Sequence, residues 1–150
     1  MNKKIIFKKN QASKFAYFSL MFVAGTSIEQ VNELGFSHLI EHLLIRAGNE
    51  QSLNELFDMN GAAIKGETSR DYINLSGYCL AEDFNKIFKI LISRIFNLSI
   101  TEDELLREKK IVLIELNQYE NSKKSINDNR VIFKNSSWSI DIIGTRGNIE

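Results

Sequence analysis

An α+β domain is the fold class this sequence predicts, a mixed or antiparallel sheet packed with helices, and three observations predict it. Segments 15–24, 62–68 and 71–79 carry the β-branched and aromatic content or the alternation of strands. Segment 82–97 and the stretch from Thr101 to about Tyr119 carry apolar residues at helical spacing. The chain of 150 residues is the size of one ordinary domain with a single core.

Taken in order, residues 3–8, with Ile5, Ile6 and Phe7, read as a first strand. The polar turn Lys9 to Ser13 joins it to the second, at 15–24. Lysines at positions 3, 4, 8, 9 and 14 before the apolar run Phe15 to Gly25 also suit the start of a signal peptide. The apolar break at Ile5 to Phe7, the Phe, Tyr and Val content of the run and the turn Gly25-Thr26-Ser27 favour strands instead. A loop with Glu29 and Glu33 leads to Gly35, and a helix runs from Phe36 to about Arg46, ended by Gly48-Asn49. Residues 51–59 form a short helix through Leu53, Leu56 and Phe57, stopped by Gly61. Strands 62–68 and 71–79 make a hairpin about Ser69-Arg70, the second alternating Tyr72, Asn74, Ser76 and Tyr78 with Ile73, Leu75, Gly77 and Cys79. The helix at 82–97 follows, with Phe84, Ile87, Phe88, Leu91, Ile92 and Ile95 on one side. Thr101 with Glu104 is a capping box that opens the last long helix, and 121–137 is the least structured by composition.

Composition excludes several classes. Hydrophobic content of 43% and charged content of 25% are ordinary for a soluble protein. The 19 basic and 19 acidic residues cancel, so no net field favours nucleic acid or an anionic membrane, and no apolar run is long enough to span one. Cys79 is the sole cysteine, which excludes an internal disulfide and fits a reducing, cytoplasmic setting. The absence of proline suits long, uninterrupted elements.

The chemistry concentrates at His38-Leu39-Ile40-Glu41-His42. These are the chain's only two histidines. Four residues is one helical turn plus about 40°, so both imidazoles leave the same face at a spacing one metal ion can bridge. Glu41 lies about 60° from His38 around the axis, where its carboxylate can hold a water on that metal. A zinc-bound water has its pKa lowered toward about 7, and a neighbouring carboxylate can take its proton during attack on a carbonyl. The flanking Leu39, Ile40, Leu43, Leu44 and Ile45 argue against a merely solvated histidine pair, because half-buried imidazoles need partners. A catalytic zinc needs a third protein ligand, and without a third histidine a carboxylate must supply it. Glu108 and Glu115 both qualify, seven residues apart on a stripe with Ile111 and Val112. Glu102, Glu104 and Glu120 read as ordinary surface glutamates.

The run Gly35-Phe36-Ser37-His38-Leu39-Ile40-Glu41-His42-Leu43 resembles the signature of the pitrilysin and insulinase family of inverted-motif zinc peptidases. Arg107-Glu108, Val112 and Glu115 are similar to that family's pattern around its third ligand. The resemblance implies that His38, His42 and Glu115 bind Zn2+, that Glu41 is the general base and that Glu108 is a supporting carboxylate. Val23 to Ser27 with Glu29, the hairpin Gly61 to Thr68 with Asp71-Tyr72, and Ile143-Gly144-Thr145 resemble other family segments. At Lys65-Gly66 the sequence departs from the family's usual Asn-Ala pair. The chain also matches only the metal-binding part of one family unit, so it is expected to be a partial domain over residues 1–150. It is then expected to need a second copy or a separate peptidase-like subunit to complete a substrate chamber. The implied activity is that of a zinc endopeptidase subunit acting on short or extended peptides, such as a precursor undergoing maturation. The competing expectation is a non-catalytic peptide-binding or scaffold subunit.

Overall fold

The computed structural model describes residues 5–8, 10–48, 50–122, 131–134 and 136–150. Lys3, Lys4, Lys9, Asn49 and most of the segment 121–137 singled out in the sequence lie outside those residues. Strand β1 (Phe15–Val23) is followed by 3-10 turns at Thr26–Ile28 and Val31–Glu33 and by helix α1 (Phe36–Arg46). Helix α2 (Leu53–Asp58) leads into the hairpin of β2 (Ala63–Thr68) and β3 (Tyr72–Leu80). Helices α3 (Phe84–Phe96) and α4 (Glu102–Asn121) complete the long elements, and a short helix, Arg146–Ile149, lies at the C-terminal end.

The fold is α+β, and the described sheet is antiparallel, three strands in the order β1-β3-β2. Register pairs Phe15 with Leu80 and Val23 with Tyr72 on one side of β3, and Ala63 with Tyr78 on the other. Alternation in β1 turns Ala16, Phe18, Leu20 and Phe22 onto the core, where they pack against buried Leu75 and Cys79 of β3, Leu53 and Phe57 of α2, and Ile87 and Leu91 of α3. A second cluster, Leu39, Leu43, Ala47, Val112 and Ile149, joins α1 to α4 and to the C-terminal helix. It is this cluster that brings the histidine helix against the glutamate helix.

Two expectations are corrected. Of the first strand expected at 3–8, the described residues 5–8 have no strand structure, and Ile5, Ile6 and Phe7 are 92, 79 and 81% exposed. Apolar content alone does not make a strand without a ladder partner, and β1 pairs only with β3 among the described residues. Glu104 is not a surface glutamate either. It is buried, and its carboxylate accepts from the backbone N–H groups of Gly48 (2.7 Å) and Thr101 (2.8 Å), tying the loop after α1 to the start of α4. Those bonds hold its carboxyl below the usual carboxylate range.

The entry to α1 is held by backbone contact. Gly35 and Gly144 both have positive φ, 99° and 84°, and a Cβ on Gly144 would come within 2.4 Å of the Gly35 Cα. Only glycine permits that approach, so the C-terminal segment seats directly on the residue before the histidine helix.

Candidate active site

Helix α1 presents His38 and His42 one turn apart, their rings 4.7 Å between centroids and nearly perpendicular. From α4, the Glu115 Oε2 lies 3.5 Å from His38 Nε2 and 3.5 Å from His42 Nε2. One potential ligand atom from each of the three residues falls within 4.8 Å of the others. His42 is buried, whereas the Glu115 side chain is 35% exposed, so the cluster has a closed side and an open one.

Glu108, one helical face with Glu115, is 1% exposed and stands on the closed side. Its Oε2 is 3.4 Å from His42 Nδ1, and its Oε1 is 3.3 Å from Arg107 Nε. A carboxylate only accepts, so the contact to Glu108 is a hydrogen bond in the tautomer that carries the His42 proton on Nδ1, which leaves the Nε2 lone pair for a metal. His38 Nδ1 is buried with no hydrogen-bond partner among the described residues. Burial, reinforced by the His42 ring, lowers the His38 pKa to about 4, so near neutral pH its ring is uncharged and offers a lone pair.

Glu41 leaves α1 toward β2 rather than toward α4. Thr68 Oγ1 donates to its Oε2 at 3.1 Å, and burial raises its pKa above the ordinary carboxylate value. All five residues singled out in the sequence therefore share one region, with Glu41 beside the three-residue cluster and Glu108 behind it.

Sequence reasoning missed two supporting residues. Thr68 carries no local signal, because its contact with Glu41 depends on how β2 packs on α1. Glu29 reads in the sequence as part of the loop before Gly35 and of a family-like segment, yet its carboxylate accepts from Gly35 N (2.9 Å) and Ser37 N (2.6 Å) and so caps α1 from outside the usual N-cap position. An acidic residue shortly before a helix start is a weak signal for that role.

The cluster passes a test of fit for zinc. Contacts of 3.5 Å are too long for good hydrogen bonds. Ligand atoms around a tetrahedral ion with bonds of about 2.0–2.1 Å sit roughly 3.3 Å apart, which is close to that spacing. Two imidazoles and one carboxylate with an open side are a donor set that suits zinc.

An α+β domain with a His-x-x-Glu-His helix facing a helix with paired glutamates is the class that fold and site define. The family model described as Insulinase (Peptidase family M16) matches residues 4–139, and the chain belongs to that family. A Bacillus subtilis (strain 168) protein named as an uncharacterized zinc protease, YmxG, is 25% identical over 148 residues, covering 95% of this chain and 36% of its own length. The mitochondrial-processing peptidase subunit beta of Homo sapiens is 25% identical over 133 residues, covering 85% of this chain and 27% of that protein. The chain thus spans about a third or less of these relatives. Among solved structures, the M16-like peptidase of Alicyclobacillus acidocaldarius superposes with TM-score 0.78 at 20% identity, covering 93% of this chain and 35% of that one. A peptidase M16 inactive domain from Pseudomonas fluorescens superposes with TM-score 0.80 at 17% identity, covering 93% and 36%. At these identities the superpositions speak for the fold. No described helix is long and apolar enough to cross a membrane.

Proposed function

We propose that this chain is the metal-binding part of a zinc-dependent endopeptidase, with His38, His42 and Glu115 as protein ligands and Glu41 as general base. The observation that carries the reading is the convergence of those three side chains within 4.8 Å, on a helix where Glu41 directly precedes His42. Zinc bound there supplies a water of lowered pKa and polarises the scissile carbonyl. Glu41 would accept a proton at its carboxylate from the attacking water as the new C–O bond forms. The same carboxylate then delivers the proton to the leaving amine nitrogen as the C–N bond breaks. Burial shifts its pKa upward, the direction that favours taking a proton. Glu108 keeps the His42 ring in the tautomer and orientation that binding needs.

The substrate in this reading is an extended peptide. Support comes from β2, an outer strand of the described sheet that runs beside Glu41 and has a free edge for main-chain pairing. A second copy or a separate peptidase-like subunit is proposed to complete the chamber. An apolar groove among Phe22, Ile28, Phe36, Ile40, Ile73 and Ile95 supports this, as does the relative named as a subunit. A cytoplasmic setting belongs to the same proposal, on the ground that Cys79 is free and buried.

Zinc content and cleavage of a peptide library test the proposal, with Glu41→Gln as the comparison. The variant is expected to keep one zinc per chain while kcat falls by about 10²–10⁴. A wild type that holds zinc and cleaves nothing, alone or with a copurifying partner, makes this a non-catalytic peptide-binding subunit instead.

A further inference from the structure

We propose that segment 141–150 is a strap that sets the spacing of His38 from Glu115, with Gly144 as the residue that seats it. The inference deepens the proposed function and rests on His38, His42 and Glu115 being the zinc ligands. The segment touches both ligand-bearing helices and grips each of them close to a ligand. On the α1 side, Gly144 packs on Gly35, three residues before His38, and a Cβ at 144 would come within 2.4 Å of both Gly35 Cα and Leu34 O. Asn148 Nδ2 donates to Val31 O at 2.9 Å and to Leu34 O at 3.4 Å, which holds the same turn. On the α4 side, the contacts lie on either side of Glu115. Lys109 Nζ donates to Glu150 O at 2.6 Å, Tyr119 Oη donates to Asp141 Oδ1 at 3.0 Å, and the Arg146 guanidinium donates to Asn117 Oδ1. Ile149, fully buried, joins the strap to the Leu39, Leu43 and Val112 cluster between the two helices.

This gives a role to Ile143-Gly144-Thr145, a segment the sequence singled out and the proposed chemistry does not use. The atoms that crowd position 144 are backbone, which cannot swing aside as the end of a side chain can. Ordinary contact begins at 3.4 Å, so Gly144→Ala must part the two segments by about 1 Å. The φ of 84° at this residue adds backbone strain for any L side chain. Zinc–ligand distances tolerate only about 0.2 Å, so a strap seated that far off disturbs the site with every ligand still in place. Gly144 and Asn148 are thus positioning residues, acting on the metal through the turn that leads into α1. Gly147 is the contrast: it lies on the same short helix, and a Cβ there would meet nothing within 4 Å.

The full chain tests this with two readouts, both taken at a temperature where circular dichroism shows the proteins folded. The first is zinc affinity, titrated against a chromophoric chelator. Gly144→Ala is expected to raise Kd about 10- to 100-fold. Asn148→Ala, a milder change that serves if Gly144→Ala does not fold, is expected to raise it about 5-fold, and Gly147→Ala to leave it unchanged. The second readout needs no metal. The chain has two histidines, so the ring Cε1–H signals of the zinc-free protein are assigned through His38→Gln. The His38 signal is expected to move in Gly144→Ala and Asn148→Ala and to stay in Gly147→Ala. Ring signals that stay in both Gly144→Ala and Asn148→Ala overturn the strap, as does a moved His38 signal with unchanged zinc affinity. Equal effects from Gly147→Ala overturn it too, because any change in the short helix then suffices. A wild type that binds no zinc sinks the assignment of the ligands, and the ring signals still decide whether the strap positions the histidine helix.

Discussion

Glu41 carries opposing demands in one carboxylate. Burial raises its pKa, and the donated hydrogen bond from Thr68 only partly offsets that. A carboxylate whose folded pKa lies above its unfolded value of 4.5 binds more protons folded than unfolded. Its ionisation therefore costs stability, a cost that is absent below about pH 4.5 and complete once the pH passes the folded pKa. Glu41→Gln removes the charge and leaves an oxygen for Thr68 to donate to. The zinc-free variant is accordingly expected to be more stable than wild type at pH 7, a trade of stability for activity. Urea unfolding of both proteins across pH 4 to 8 checks the sign: the advantage should shrink as the pH falls. An advantage that grows in acid, or a variant less stable at pH 7, means that burial does not dominate at this residue.

At the scale of elements, α1 and α4 were legible because each carries a local rule. The spacing of Leu39, Leu43 and the two histidines defines a helix with a mixed face, and Thr101 with Glu104 marks a helix start by the capping box that forms. The bonds that hold those helices in place were not legible, because they join residues far apart in sequence. Glu104 satisfies a local rule and a distant one together, and only the local one can be seen without the fold. Residues 5–8 fail in the opposite way: their composition is that of a strand, and what decides against a strand is the absence of a partner in the described sheet. The proposed metal cluster was half visible, since His38 and His42 are neighbours in sequence while the choice between Glu108 and Glu115 turns on which one faces both imidazoles. Glu29 shows what such hidden contacts are worth. It satisfies two backbone N–H groups at the start of α1, so Glu29→Ala is expected to destabilise the protein by about 1–2 kcal/mol. Because the helix it caps carries both histidines, zinc affinity should fall with it. Urea midpoints and zinc titration measure the two effects, and a fully stable variant with unchanged affinity excludes Glu29 as a support of the site.

For the molecule as a whole, the proposed ligands couple the two ends of the domain. His38 and His42 lie on α1, Glu115 lies on α4, and the small core of Leu39, Leu43, Val112 and Ile149 is what aligns the two helices. An unfolded chain keeps the histidine pair but loses Glu115 from it, so zinc binds the folded state far more tightly, and that difference appears as stability. At a free zinc concentration of a thousand times Kd the gain is about 4 kcal/mol, reduced by whatever affinity the unfolded histidines retain. For a domain of this size a kcal/mol moves Tm by roughly 2–4 °C, so zinc is expected to raise Tm by about 8–16 °C and a chelator to reverse it. Glu115→Gln should remove most of the rise, because an amide oxygen is a poorer ligand than a carboxylate, yet leave the zinc-free Tm near that of wild type. The Glu115 side chain is 35% exposed and supports no core packing, which is why its loss should be silent without metal. Glu108→Gln should behave differently. Glu108 is buried against His42 and Arg107, so its replacement should lower the zinc-free Tm as well as the zinc-dependent rise. Differential scanning calorimetry of the three proteins with zinc and with chelator separates these effects. A wild-type Tm that zinc and chelator leave unmoved means that the two helices meet for reasons other than binding a metal.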